Sequence, residues 1–541
     1  MKMVKSLVLG SAAGLIAMSG AQAADLPVKA KAVEYVRICS LYGAGFFYIP
    51  GTDTCIKLGG YLRVDTTFNG SAAHDAPAWN GDSGAMDRYR NYYIVRDRLA
   101  LTVDTRTATE YGVVRTFGQA DFTFDTQGAA GQNPNSLATN LGNNGNLLHT
   151  VGGGYVAVEY LFIQFAGFTF GKSSSAYATP WNGYPGNNTS YLIGGHDTVT
   201  GVPNIQYTAQ FGNGVSATIG LDDPTVYNRT ALGYLNTFAA TPATTTALAV
   251  NTASTVSVLG IPANAYAGTY APDVVGNIRV DQAWGLFQIS GAAHQLVPSY
   301  NLLSSAGAPT ALSEVSGHPD TKWGGSVMAA LNIKNIPTGA GDDIKVDFSW
   351  AKGDTKNVIG TAATAPSFAM FGGTSRPGAY QSIGLGYTSD GVYSPFGSIE
   401  LTQAWGMRGA FNHNWDPYWS SSLFGGYAAV RYNDSAKLQY CAAFTGPVVG
   451  GAALSARSFT TGGSDFSCNP DFNVSELGLV TRWTPVKNLT FSVESIWFHL
   501  DQKMTGTVTA APSATLPKPN ATYEFKDQNN VTLNFRVQRN F

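Results

Sequence analysis

The last eighteen residues of the chain follow a period of two. From Glu524 to Asn540 every even position is polar. From residue 531 the odd positions run Val531, Leu533, Phe535, Val537, Arg539 and Phe541. Side chains alternate across a strand, so this segment predicts a strand with one polar and one mostly apolar face. Upstream stretches repeat the pattern. In YLRVDTTF and the residues before it, Lys57, Tyr61, Arg63 and Asp65 oppose Ile56, Leu58, Leu62, Val64 and Phe68. In DRYRNYYIVRDRLALTVDT, Arg88, Arg90, Arg96 and Arg98 oppose Tyr89, Tyr93, Val95, Leu99, Leu101 and Val103. DDIKVDFSW sets Lys345, Asp347 and Ser349 against Ile344, Val346, Phe348 and Trp350.

Applied along the chain, the criterion predicts sixteen strands: 55–69, 88–106, 111–126, 153–166, 167–175, 203–212, 214–222, 274–282, 284–296, 322–334, 342–353, 398–413, 419–432, 473–483, 489–502 and 523–541. Connections alternate in length. Short ones include TATE, FGNG, the stretch around Pro337, NWDPYWSSS and RWTPVKNLT. Long ones are 127–152, 176–202, 223–273, 297–321, 354–397, 433–472 and 503–522. In 354–397 the stretch YQSIGLGY, within 379–388, allows an additional hairpin. TFAATPATTTALAVNTAST and TGTVTAAPSATLPKPNA are expected to bury little.

A soluble sandwich alternates too. Two features favour a membrane barrel: the polar parity carries Arg, Lys, Asp and Glu at mid-strand, and the apolar parity gathers aromatics near strand ends, as a lipid-facing band with girdles requires. The expected fold is therefore all-β, a 16-stranded antiparallel transmembrane β-barrel with short periplasmic turns and long external loops.

Composition agrees. Charged residues are 13% of the chain, while 62 Gly, 27 Tyr, 28 Phe and 10 Trp supply turn and strand material. At the start, Lys2 and Lys5, the apolar run SLVLGSAAGLIAM and Ala21-Gln22-Ala23 read as a secretory signal peptide over 1–23. Residues 24–54 then form a periplasmic N-terminal segment and 55–541 the barrel. The balance of 33 basic and 35 acidic residues carries no footprint for nucleic acid. Cys39, Cys55, Cys441 and Cys468 allow three disulfide connectivities and form no CxxC metal motif. No metal or other cofactor is implied.

ADLPVKAKAVEYV, YGAGFFYIPGTDTCIKLGGYLRVD, the two WTP-like turns, SSLFGGY and the terminal FRVQRNF give the chain a family resemblance. It resembles the general porins of alphaproteobacterial outer membranes, the Porin_2 type. The resemblance implies an outer-membrane homotrimer embedded in lipid, with the third external loop, here 176–202, folded into the lumen as a constriction. It also implies that Phe541, supported by Val537, Phe535 and Leu533, is read by the barrel-assembly machinery. Arg539 departs from the usual aromatic or apolar residue.

A porin acts through the width and wall charge of a water-filled path for small hydrophilic solutes and ions. The candidate lining is a basic ladder on lumen parity: Arg63, Arg90, Arg96, Arg98 and Arg115. Opposing acids are Asp121, Asp125 and Glu159 on the wall and Asp197 in the loop. The competing reading of each arginine is a solvated residue or a rim pair with a carboxylate. With so few loop acids, weak anion preference or little selectivity is expected. The proposed topology places Cys39 and Cys55 at the periplasmic end and Cys441 and Cys468 in one external loop, so 39–55 and 441–468 are the preferred pairs.

Other functions are less well supported. A sugar-specific channel needs a stacking track, for which Tyr61 and Tyr92 are the candidates. A barrel enzyme needs a Ser/His pair. Ser495 and His499 share a face, but beside Trp497 they fit a girdle, and the chain has no GxSxG or HExxH. GFTFGKS has three residues rather than four between its glycines and lies on strand pattern.

Overall fold

Sixteen strands with the expected alternation form one closed ring in the computed structural model. The structure describes residues 37–541 except 71–83, 85, 89–91, 127–153, 184, 190, 197–199, 226–227, 237–255, 305–306, 360–366, 446–447, 450–451, 454–458 and 512–517. The signal peptide expected over 1–23 therefore lies outside the described residues. The barrel strands are β1 (Cys55–Phe68), β2 (Tyr93–Thr109), β3 (Gly112–Asp125), β4 (Tyr155–Phe165), β5 (Phe168–Ser173), β6 (Val202–Gly212), β7 (Val215–Asp222) and β8 (Asp273–Gln282). They continue as β9 (Gly285–Leu296), β10 (Lys322–Lys334), β11 (Asp343–Lys352), β12 (Gln403–Asn414), β13 (Trp419–Arg431), β14 (Phe472–Val486), β15 (Leu489–Gln502) and β16 (Gln528–Asn540). Each pairs antiparallel with its chain neighbours, and β16 pairs with β1 from Asn540↔Tyr61 to Leu533↔Phe68. Closure leaves the ring without an open edge, which a backbone surrounded by hydrocarbon requires.

The outer face is an exposed apolar band that includes Leu62, Val64, Leu101, Val158, Ile219, Ile278, Val327, Leu423, Leu479 and Val493. At the short-turn end it is bordered by Tyr111, Phe211, Trp284, Tyr418, Trp419, Trp483 and Phe541, all exposed. Trp419 stacks on Trp483 at 5.8 Å. Near the opposite end, Trp350 faces Trp405 across β11 and β12. These two rims are the girdles the pattern predicted. His499 and Ser495 belong to this outer face. His499 stacks on Trp497 at 5.5 Å and bonds Asn529 Oδ1 at 2.9 Å.

Short turns close the lower end. Between Phe165 and Phe168 the chain reverses in two residues, Ala166 and Gly167, with φ of 49° and 87°. Two positive φ values match the right-handed twist of the flanking strands. Below β1, Phe47–Tyr48 pairs with Cys55–Ile56, and a disulfide joins Cys39 to Cys55. Arg106 lies 4.9 Å above the Phe46 ring in this segment.

The long connections build a second layer. Strands Phe368–Gly372, Gln381–Gly386, Ala521–Phe525, Thr505–Ala510 and Phe459–Ser467 form a five-stranded sheet, and a disulfide ties Cys441 of helix Asp434–Thr445 to Cys468. Both disulfides are those the topology favours. Gln381–Gly386 is half of a hairpin with Phe368–Gly372 and also runs parallel to Ala521–Phe525. The expectation that 505–521 buries little is corrected: Val508, Ala510 and, just beyond, Tyr523 are fully buried. Residues 237–255, expected to behave alike, lie outside the described residues.

This layer also ends the predicted strand 523–541 early. Ala521–Phe525 joins the loop sheet, and the chain bends where Lys526 N–H donates to Ile383 O at 3.0 Å and Asp527 accepts Gln502 N–H at 3.1 Å. Beneath the layer the lumen face turns apolar at Ala351, Ala404, Ala428, Val430, Val474, Phe498 and Leu500, all buried. Phe368 from the layer packs on Phe472 and Phe498 at 5.4 and 5.9 Å. Polar parity holds only where the lumen wall stays wet.

Candidate functional site

From the short-turn end to mid-height on the lumen wall, guanidiniums and carboxylates interleave. β1 and β2 set Arg63 directly opposite Arg98, and β2 and β3 set Arg106 opposite Arg115. Like charges facing each other are costly, so each pair needs acids nearby. Asp104 receives both Arg106 and Arg115, each at 3.0 Å. Arg98 reaches Asp121 at 3.0 Å and lies 3.9 Å from Glu159. Asp65 takes Arg96 at 2.7 Å and Arg536, from across the closure, at 2.5 Å. Asp121 also accepts Gln119 Nε2 at 3.1 Å.

Of the predicted ladder, Arg96, Arg98 and Arg115 each meet an acid, in three separate clusters. Arg63 differs: its Nε donates to the neutral Gln538 Oε1 at 2.8 Å and its guanidinium lies 4.5 Å above the Tyr61 ring. That stacking covers one face of Tyr61. Arg90 and Asp197 lie outside the described residues.

The segment between β5 and β6 lies against the lumen wall, fastened by side chains of β8, β9, β12, β14, β15 and β16. Asn277 and Gln288 donate to the carbonyls of Ala176 and Ala178 at 2.6 and 2.8 Å. Asn412 reaches Pro185 O at 2.9 Å, Arg482 reaches Gly186 O at 2.5 Å and Arg536 reaches Asn188 O at 2.8 Å. Arg408, fully buried with Asp347 at 3.0 Å, donates to Leu192 O at 3.1 Å and to His196 O. Acids hold the amides: Glu494 accepts from Asn188 and Thr189, and Glu476 accepts Ile193 N–H at 2.8 Å. The ring of His196, also buried, bonds Asn357 Oδ1 at 2.8 Å.

Close seating needs small residues. A Cβ on Gly194, where φ is 119°, would meet the carbonyl oxygens of Met407 and Tyr427 at 2.5 and 2.6 Å. Gly406 on the wall faces Gly194 in turn.

The Porin_2 family model, described as a porin subfamily, matches residues 25–534. The chain belongs to this porin subfamily. Porin Omp2b of Brucella abortus (strain 2308) is 34% identical over 287 residues, which cover 52% of this chain and 63% of that protein. Porin Omp2b of Brucella suis biovar 1 is 38% identical over 224 residues, 40% of this chain and 54% of the relative. The alignments thus span less than two thirds of these relatives' length. The outer membrane channel DcaP of Acinetobacter baumannii superposes with a TM-score of 0.54 at 14% identity, over 91% of this chain and 99% of that one, a likeness of fold.

In this porin, sequence reasoning missed Arg408, Arg482 and Arg536 as lumen residues that act on the loop. Each stands on the polar parity of its strand, and that signal was present. Their partners were not legible, because parity carries no height and Asp65 and Arg536 are 471 positions apart.

Proposed function

We propose that this porin forms a water-filled channel in the bacterial outer membrane for passive diffusion of small hydrophilic solutes and ions, narrowed by the segment 176–202. The observation that carries the reading is a closed barrel, apolar outside and charged at mid-lumen, with a long loop fastened to its inner wall. On this reading 24–54 is the periplasmic segment, and the ion-paired wall gives little selectivity with a weak preference for anions. Width and wall charge account for the function without bond chemistry. Homotrimerisation belongs to the proposal. Asp97 supports it, since this exposed carboxylate sits on the outer face of β2 between Val95 and Leu99 and suits a subunit contact better than hydrocarbon.

Liposome swelling with neutral sugars of graded size tests the proposal. A swelling rate that falls smoothly with solute size is expected. Saturation by one sugar would favour a substrate-selective channel, and no swelling would refute the channel. A native mass of one chain would remove the trimer alone.

A further inference from the structure

Between the loop and the short-turn end of the wall lies a recess of about 300 Å³, lined by Arg63, Arg482, Arg536, Asn188, Ser492 and Gln538, with Asn187 and Thr490 completing it. Three guanidiniums from β1, β14 and β16 line it, and among the described residues no carboxylate does. Among the described residues Arg482 bonds neutral partners alone: Ser422 Oγ at 2.9 Å, Gly186 O at 2.5 Å and Asn188 Oδ1 at 3.2 Å. Arg63, among the described residues, has the neutral Gln538 as its hydrogen-bond partner and uses Nε alone. Arg536 pairs with Asp65, which also takes Arg96. The nearby Glu494 accepts the loop amides of Asn188 and Thr189 and offsets part of the positive charge. Ser492 Oγ already accepts from Asn188 Nδ2 at 2.8 Å, which leaves its hydrogen to donate.

Two guanidiniums bonded to neutral groups, Arg63 with its terminal N–H groups unspent, and the Ser492 hydroxyl donor in one small recess match an oxyanion. Forked guanidinium donors suit a tetrahedral or planar oxyanion better than a halide, which offers no directed acceptors. Resting on the porin reading, we infer that this recess is a discrete binding site for a phosphate-class oxyanion, either inorganic phosphate or the phosphoryl group of a small metabolite. Such a site makes phosphate flux saturable while neutral solutes pass by ordinary diffusion.

Equilibrium dialysis of radiolabelled inorganic phosphate against the detergent-solubilised protein at low ionic strength tests the site without requiring conduction. Saturable binding near one phosphate per chain is expected, displaced weakly by chloride. Arg63→Gln, a residue that does not fasten the loop, should weaken it about tenfold or more, the size of one lost charge-assisted hydrogen bond. Ser492→Ala should weaken it by a smaller factor. Arg279→Gln, paired elsewhere with Asp281 at 2.9 Å, should leave it unchanged. Competition by a sugar phosphate at lower concentration than free phosphate would assign the metabolite source, and the reverse order the inorganic ion. Absence of saturable binding, or equal affinity in Arg63→Gln, overturns the site. Binding without bilayer conduction would remove the porin reading and keep the site, while conduction without saturable binding would do the opposite.

Discussion

Replacing Arg408 by methionine tests whether wall charges hold the loop. Arg408 and Asp347 are both fully buried and 3.0 Å apart, so the substitution leaves a buried carboxylate without its partner. Breaking such a pair from one side costs ~3–5 kcal/mol. The Leu192 carbonyl also loses its donor, at ~1–3 kcal/mol. The first term alone lowers the ratio of seated to released loop by ~10²–10⁴. Hydrogen exchange should report it at the amides of Ile193 and Gly194, which bond Glu476 and Val358 O at 2.8 and 3.1 Å. Their protection should fall by about the same factor, and single-channel current should become noisier. The double variant Arg408→Met with Asp347→Leu removes both charges and should restore barrel stability to near wild type, while loop protection recovers only in part. Unchanged exchange and quiet current in the single variant, with the barrel shown to be folded, would refute the reasoning.

Removing Arg96 and Arg98 together, each to alanine, deletes two positive charges but leaves Asp65 and Asp121 on the wall. The reversal potential under a salt gradient should shift towards cations, and no shift would make the ladder irrelevant to permeation. Phe541 exchanges backbone hydrogen bonds with Gly60 at 3.1 and 3.2 Å. Its deletion should reduce outer-membrane yield several-fold, and normal yield would count against an assembly role. The Cys441–Cys468 disulfide closes a span of 27 residues, which in the chain-entropy model is worth ~3–4 kcal/mol. Cys441→Ser with Cys468→Ser should speed exchange in helix Asp434–Thr445 and leave the barrel amides protected; equal exchange in both proteins would contradict this.

The barrel was legible because its cause is local. Alternation with period two recurs in each strand, and the ring of β1–β16 differs from the expected strands chiefly at ends such as Tyr93, Gln403 and Gln528. Beyond the hairpin allowed at YQSIGLGY, the outer-loop layer was not legible. Its strands are short, pair with segments far away in sequence, and bury residues as ordinary as Val508 and Ala510. The same cause hid the dry part of the lumen. Ala404, Ala428 and Val474 are apolar on lumen parity only because loops cover them.

At the site, parity put Arg63, Arg96, Arg98 and Arg115 on one face of three adjacent strands. It gave no means to see that Asp104, two residues from Arg106 and eleven from Arg115, pairs with both. Nor did it show that closing β16 onto β1 brings Arg536 to Asp65. Those contacts depend on register and closure, which a period of two does not specify.

Planar-bilayer recording of the purified protein tests the central claim most directly. The account predicts discrete, lasting current steps that are ohmic and scale with bulk salt, as a wet lumen open to both sides requires. A protein that enters the bilayer as folded β-structure yet never raises the current above baseline would contradict it.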